Sequence, residues 1–355
     1  MLIRDFCIKP PPEHPNCHAS SICELPNGDL LACCYAGVYE GAPDQVILGA
    51  RYERATGRWA EPQVWVHVAR RATSNPRVFL GPEPSAVWLL APVNYGERWC
   101  SGGTFLFLKR SYDGGRTWTD LELLVERKGL LGKNKPLVRE RLCLIPVEWE
   151  ATWSATFLRS EDSGRTWEIV GDLGRAAGAH LIQPAVVELS DGSLMAYMRS
   201  QEGHIFVSYS QDLGRSWTKP QPTSLPNNNS GIDLVRLYSG NLVLVYNPTS
   251  VVPGMEKLDP AWPKDMPVEF NAWGPRTPLV AALSTDEGRT WLYQLVLEEG
   301  PGEYSYPAVI QAQDGTIHIT YTYRRKAIRH VQLTEEAFFS EEPAERSTAK
   351  GGKDA

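Results

Sequence analysis

The chain has 355 residues, of which 42% are hydrophobic and 10% aromatic, enough for a large core, and its formal net charge is −6. An acidic balance argues against nucleic acid or an anionic membrane surface as a partner, and no apolar run approaches the roughly 18 residues of a membrane helix. The N-terminal residues include no apolar h-region, so we expect no secretory signal, and the seven cysteines include no C-x-x-C pair. We therefore expect a cytoplasmic protein with buried thiols, no metal and no cofactor.

Six pairs of short apolar strands are predicted along the chain, each joined by a tight turn. The clearest pairs lie at 17–35, 183–200, 230–247 and 306–323. Their turns contain Asn27-Gly28, Asp191-Gly192, Ser239-Gly240 and Asp314-Gly315, and such dipeptides are typical of β-hairpins. Weaker versions lie at 75–92 and 135–148.

A second motif is written out four times: SYDGGRTW at 111–118, SEDSGRTW at 160–167, SQDLGRSW at 210–217 and STDEGRTW at 284–291. Its Asp can accept backbone N–H bonds within a tight turn, and its Gly supplies a left-handed conformation. Four copies of one turn cannot all be an active site. We therefore interpret Asp113, Asp162, Asp212 and Asp286 as structural.

Each hairpin is followed by a third strand that ends in this motif, or where the motif is expected, and then by a fourth strand. Radial repetition of such units builds a propeller. The sequence thus predicts an all-β fold, a six-bladed β-propeller with four-stranded antiparallel blades, over residues 1–339. We expect residues near 2–8 to close the last blade, a proline-rich loop at 248–273 to cover one face, and the tail at 340–355 to be disordered.

The motif S-x-D-x-G-[RK]-[TS]-W resembles the Asp-box of sialidases. The resemblance implies arginines that hold a substrate carboxylate, a tyrosine nucleophile activated by a glutamate, and an aspartic acid that protonates the leaving group. By context these roles fall on Arg199 in GSLMAYMRS, Arg276 in RTPLVAALS, Tyr304 in EYSYPAVI and Asp44 in YEGAPDQVI, with Glu40 as the rival of Asp44.

Two positions depart from the family pattern. His18 stands where the family has its first arginine, and Gln183 stands near the position of the activating glutamate. Histidine binds a carboxylate only when protonated, although His18 could act as a general base, and Gln183 cannot take up a proton. Polar residues at the starts of first strands, Asn75, Lys135 and Tyr306, are predicted to contact substrate.

Three functions remain open from the sequence. The first is an exo-acting glycoside hydrolase that removes a terminal, acidic sugar from a glycan. The second is a uronate- or rhamnoside-directed hydrolase or β-eliminating lyase on the same propeller. The third is a non-catalytic propeller that binds carbohydrate. The predicted partner is a glycan in each case, and the oligomeric state is undetermined.

Overall fold

A computed structural model describes residues 2–96, 101–253, 255 and 273–340 of the chain. The first fifteen strands are β1 (Ile3–Ile8), β2 (Asn16–Glu24), β3 (Leu30–Gly37), β4 (Val46–Glu53), β5 (Arg58–Trp59), β6 (Gln63–Val66), β7 (Arg77–Leu80), β8 (Val87–Asn94), β9 (Thr104–Ser111), β10 (Glu122–Lys128), β11 (Leu130–Leu131), β12 (Leu137–Arg139), β13 (Leu142–Trp149), β14 (Ser154–Ser160) and β15 (Glu168–Val170).

A short helix, α1 (Leu173–Ala177), precedes the second half of the chain. The remaining strands are β16 (Leu181–Glu188), β17 (Leu194–Ser200), β18 (His204–Ser210), β19 (Gln221–Pro226), β20 (Asp233–Arg236), β21 (Leu242–Tyr246), β22 (Leu279–Ser284), β23 (Tyr293–Glu298), β24 (Tyr304–Gln311), β25 (Ile317–Tyr323) and β26 (Ala327–Leu333). A 3-10 helix follows at Glu335–Phe339. The predicted all-β class is confirmed, although neither helical segment was predicted.

The described strands form antiparallel sheets, most of them with four strands in the main path. Their orders are β1-β26-β25-β24, β2-β3-β4-β5, β7-β8-β9-β10 and β20-β21-β22-β23. The strands β11 to β19 form one nine-stranded sheet in which two antiparallel groups meet at a single parallel bridge, Ser154 to Leu181. Every predicted hairpin is present, since each predicted pair coincides with two consecutive antiparallel strands.

The first strand pairs with the last. β1 lies antiparallel to β26, with Ile3 opposite Gln332 and Ile8 opposite Ile328. The predicted closure of the last sheet by the N-terminal strand is therefore confirmed.

The four repeated motifs fold as the turns that the sequence predicts. In the second copy, Asp162 accepts hydrogen bonds from the backbone N–H groups of Arg165 (3.0 Å) and Thr166 (2.9 Å) and from the Thr166 hydroxyl (2.7 Å). Gly164 adopts a φ of 81°. Hydrogen bonds lower the pKa of the Asp carboxyl in all four copies. For Asp286 the largest single effect is burial, which raises the pKa, but the hydrogen bonds together outweigh it. These aspartates are structural.

The hydrophobic core is divided into clusters that lie between consecutive groups of strands. One cluster joins β2–β4 and β6 to β7 and β8, the next joins β7–β9 to β13 and β14, and a third joins β13 and β14 to α1 and β16–β18. Two more join β16–β18 to β20–β22 and β20–β23 to β24–β26. A further cluster joins β1, β2–β4 and Ile328 of β26.

The first strands of the groups are neighbours: β2 contacts both β7 and β24, and β20 contacts both β16 and β24. Polar side chains connect them, as when Asp233 of β20 accepts from the Val309 N–H of β24 (2.8 Å). A β-bulge interrupts β2, β16 and β24 near their starts, where Ala19, Gln183 and Tyr306 have φ values of 59°, 54° and 52°. Bulges redirect side chains, and these three bring polar residues together.

Two predicted segments are largely outside the described residues. The proline-rich insert does separate β21 from β22, but most of it, like the tail beyond residue 340, lies outside the described part of the chain. Within the described residues no helix is both long and apolar enough to cross a membrane.

Candidate functional site

Tyr306, on the bulge of β24, is at the centre of a group of polar side chains. Its hydroxyl lies 2.5 Å from Nη1 of Arg199 and 3.4 Å from Nε2 of Gln183. Arg199 Nη1 also donates to Oε1 of Gln183 at 3.1 Å. The guanidinium of Arg276 lies 5.4 Å from the centre of the Tyr306 ring. We call Arg199, Arg276 and Arg325, together with the residues that they contact, the arginine cluster.

Arg199 is fully buried at the end of β17. Its Nε donates to Oδ1 of Asn229 (2.8 Å), and its guanidinium faces the rings of Trp153 (5.4 Å) and Trp273 (5.5 Å). Nη2 has no hydrogen-bond acceptor among the described residues. Burial lowers the pKa of Arg199, and the neighbouring Tyr306 opposes that shift. A buried guanidinium with an unused donor favours an anionic or strongly accepting neighbour.

Glu303 binds the other two arginines. Its Oε1 accepts from Nη1 of Arg276 (2.5 Å) and from the Ser305 hydroxyl (2.9 Å), and its Oε2 accepts from Nε of Arg325 (2.9 Å). Arg325 Nη1 also donates to Glu40 at 2.7 Å. Burial opposes ionisation of Glu303, but Arg325 and Arg276 together hold the pKa of this carboxyl well below its ordinary value. Glu303 is therefore an ionised ligand of two arginines.

His18 borders the cluster but is held neutral. Its ring lies 4.1 Å from that of Tyr306, and its Nδ1 lies 2.8 Å from the Thr322 hydroxyl and 3.9 Å from Glu303. Burial, followed by the charge of Arg325, holds the pKa of His18 well below its ordinary value. A neutral imidazole does not replace the family's first arginine as an anion ligand.

The hydroxyl of Tyr304 and the carboxylate of Asp44 bind residues outside the arginine cluster. The Tyr304 hydroxyl accepts from Nε (3.2 Å) and Nη2 (3.0 Å) of Arg324, and its ring packs near that of Tyr323. The Asp44 carboxylate accepts from the Val38 N–H at 3.2 Å and lies 3.4 Å from Nδ1 of His14. Tyr306 takes the position beside Arg199 and Gln183 that the sequence interpretation gave to Tyr304.

Of the other residues that were predicted to contact substrate or act as the acid, one belongs to the arginine cluster and two do not. Glu40 joins the cluster through Arg325. Lys135 is committed elsewhere, because its Nζ donates to both carboxylate oxygens of Asp233 at 2.8 Å. Asn75 is buried just before β7, and no described hydrogen bond connects it to the cluster.

The sequence did not predict Arg325 or Glu303 as site residues. Arg325 follows β25 and Glu303 precedes β24, so both fall outside the repeated pattern. The choice of Tyr306 had an available signal. Ala19, Gln183 and Tyr306 each lie nine positions before the glycine of their hairpin turn, at Gly28, Gly192 and Gly315. Equal spacing places these three residues at equivalent positions of three strands.

No group of three or more His, Cys, Asp or Glu side chains in the described part of the chain could hold a metal ion. What the cluster offers instead is three guanidinium groups, two carboxylates, a neutral imidazole and a phenol.

Comparison with known proteins places these features in context. The model of a family described as BNR repeat-like domain matches residues 28–319. The anhydrosialidase of Macrobdella decora is 22% identical over 242 residues, or 61% of this chain and 29% of that protein. A sialidase of Bacteroides fragilis (strain YCH46) is 23% identical over 280 residues, or 71% of this chain and 48% of that protein. The chain thus spans less than half the length of these curated relatives.

Solved structures share the fold. The Hadza microbial sialidase Hz136 superposes with a TM-score of 0.74 at 20% identity, over 92% of this chain and 67% of that one. At this identity the likeness establishes an all-β fold like that of the sialidase propellers.

Proposed function

Because the chain belongs to the family of BNR repeat-like domains and is a sialidase-like protein, we propose that the arginine cluster is the active site of an exo-acting glycoside hydrolase. The substrate is a glycan, from which the enzyme removes a terminal sugar. The matched relatives are named as an anhydrosialidase and a sialidase, which supports glycosidase chemistry for the family.

We also propose that the strand groups form the six blades of one propeller. The core clusters support this arrangement, since each lies between two successive groups and one of them joins β1 and Ile328 to β2–β4. A ring of this kind would place the starts of β2, β16 and β24 around one axis. The arginine cluster would then lie at the mouth of that axis.

The observation that carries the proposal is the 2.5 Å contact between the Tyr306 hydroxyl and Nη1 of Arg199. A phenol is a weak nucleophile unless a base or a cation assists it. Gln183 cannot accept the phenol proton, but the buried guanidinium of Arg199 stabilises a phenolate electrostatically. His18, whose ring centroid lies 4.1 Å from that of Tyr306, is the proposed acceptor of the phenol proton. Burial and the charge of Arg325 hold its pKa well below the ordinary value, so it is a weak base until a bound substrate changes its surroundings. In this proposal Tyr306 attacks the anomeric carbon.

The leaving group requires a proton donor. Glu40 is a poor donor because Arg325 holds it in an ion pair at 2.7 Å and so favours its ionised form. Asp44 lies in the loop before β4 and is about one-third exposed, so a substrate can reach it. Asp44 therefore remains the proposed acid.

The class of sugar depends on the arginines. An acidic sugar, which the sequence predicts, is supported by the unused Nη2 donor of Arg199. It is opposed by the ion pairs that already occupy Arg276 and Arg325. A neutral sugar, such as the rhamnoside among the alternatives, is compatible with those ion pairs.

The test is hydrolysis of a panel of 4-methylumbelliferyl sialosides, uronides and rhamnosides, with product analysis. On the substrate that is cleaved, Tyr306→Phe should lower kcat/KM by about 10³-fold or more, and Tyr304→Phe by much less. The reverse order of losses would refute the role of Tyr306. Glycan binding without turnover would favour the non-catalytic function, and an unsaturated product that absorbs in the ultraviolet would indicate a lyase.

A further inference from the structure

The carboxylate of Glu303 is bound as a ligand's carboxylate would be. Each of its oxygens accepts from a different arginine, Arg276 on one side and Arg325 on the other, and Oε1 takes a third hydrogen bond from Ser305. Charge-assisted bonds from two guanidinium groups are what a protein offers to an acidic ligand. Here the acceptor belongs to the chain itself.

Backbone hydrogen bonds on both sides hold Glu303 in this place. The Tyr304 N–H donates to the carbonyl of Arg276 (2.9 Å), and the Arg324 N–H donates to the carbonyl of Glu303 (2.7 Å). The backbone at Glu303 and Tyr304 is thus hydrogen-bonded to Arg276, whose charge Glu303 neutralises, and to Arg324 just after β25. The side chain reaches both arginines from an anchored backbone.

The charges around this position are balanced. Arg276 and Arg325 carry two positive charges, and Glu303 and Glu40 carry two negative ones. A ligand carboxylate brought beside Glu303 would meet a like charge with no arginine of this pair free to compensate it. The third arginine, Arg199, donates to the Tyr306 hydroxyl and to Gln183, and no described hydrogen bond joins it to Glu303.

We infer that Glu303 determines specificity: it is an internal carboxylate that fills the position between Arg276 and Arg325, so that the site selects a terminal sugar with no acid group there. The inference deepens the proposed function, on which its reference to a sugar rests. It separates this chain from an enzyme that keeps both arginines open for an acidic substrate.

The first experiment compares matched ligands that differ in one acid group. The pairs are glucuronic acid with glucose, and the methyl α-glycoside of N-acetylneuraminic acid with its methyl ester, measured by titration calorimetry. The unchanged protein should bind the neutral member of a pair roughly tenfold or more tightly, and Glu303→Gln should shift that ratio toward the acid by a similar factor. Equal or tighter binding of the acid by the unchanged protein would overturn the inference.

Glu298→Gln is the matched control. Like Glu303, Glu298 accepts from a hydroxyl group, that of Tyr321 (2.9 Å), and lies near an arginine, 3.5 Å from Nε of Arg329, but it is outside the arginine cluster. This substitution should leave the acid-to-neutral ratio unchanged. An equal shift in both variants would show that the effect is not specific to Glu303.

A second measurement requires no sugar. Sodium acetate, compared with sodium chloride at equal ionic strength, should raise the Tm of Glu303→Ala but not that of the unchanged protein or of Glu303→Gln, because acetate can supply the missing carboxylate only where the side chain leaves the position empty. No selective effect of acetate on Glu303→Ala would overturn the inference. If no sugar binds but acetate selectively stabilises Glu303→Ala, the proposed function fails while the carboxylate position is supported.

Discussion

Two stacked histidines away from the arginine cluster make stability depend on pH. Nδ1 of His318 lies 3.0 Å from Nε2 of His330, and the Trp59 indole donates to Nδ1 of His330 at 3.1 Å. An indole N–H only donates, so Nδ1 of His330 carries no proton and its Nε2–H donates to His318. A proton added to either ring removes an acceptor that this chain of hydrogen bonds requires.

Burial accordingly lowers both pKa values, that of His318 from 6.5 to about 4 and that of His330 to about 3. Since the folded pKa is below the unfolded one, the unfolded chain binds more protons between these values. Stability is fully present above pH 6.5 and is lost as the pH falls toward 4. At about 1.36 kcal/mol per pH unit, the titration of His318 alone should make the free energy of unfolding about 2.5 kcal/mol lower at pH 4.5 than at pH 7.

The assay is urea unfolding at pH 7 and pH 4.5, which gives the free energy of unfolding of the unchanged protein and of a variant with both His318→Gln and His330→Gln. Glutamine can donate and accept but does not titrate in this range. The variant should lose at least about 2.5 kcal/mol less on acidification than the unchanged protein. Equal losses in the two proteins would show that the histidine pair does not control the acid response.

Two further predictions concern the repeated turns, and both are measured by urea unfolding. Asp286→Ala removes bonds from the Thr290 N–H and hydroxyl (2.8 and 2.7 Å) and should cost about 2 kcal/mol; an unchanged free energy of unfolding would contradict its structural role. Gly164→Ala puts a methyl group 2.4 Å from the ring of Trp88, whereas Gly192→Ala, at a similar φ, meets nothing within 4 Å. Gly164→Ala should lower the free energy of unfolding by at least about 1 kcal/mol more than Gly192→Ala does. Equal losses in the two variants would refute the steric argument.

The repeated parts of the fold could be predicted from the sequence because their causes are local. Asn27-Gly28 and Asp314-Gly315 specify turns by their own conformational preferences, and the four motifs carry every donor and acceptor that their turn uses. Closure by the first strand could be inferred because no copy of the motif follows the last hairpin, at 306–323. The nine-stranded sheet could not be foreseen, since one parallel bridge between Ser154 and Leu181 leaves no periodic signal.

The site was predicted less completely, for a physical reason. Arg199, Arg276, Gln183 and His18 were found because they belong to the repeated strands or to the family pattern. Glu303 and Arg325 come from segments on either side of a hairpin, and only the folded chain shows that their charges meet. The bulge at Tyr306 turns its hydroxyl toward Arg199, while Tyr304, two positions earlier, contacts Arg324.

The pairing of β1 with β26 has a consequence for biosynthesis. Ile3 cannot find Gln332 until nearly the whole described chain has left the ribosome, and bringing together segments so distant in sequence is entropically slow. Until then β1 lacks its partner strand and presents unpaired N–H and carbonyl groups to any matching strand. The β26 strand of another molecule offers the same pairing, so we expect strand exchange between copies to compete with correct folding at high rates of synthesis.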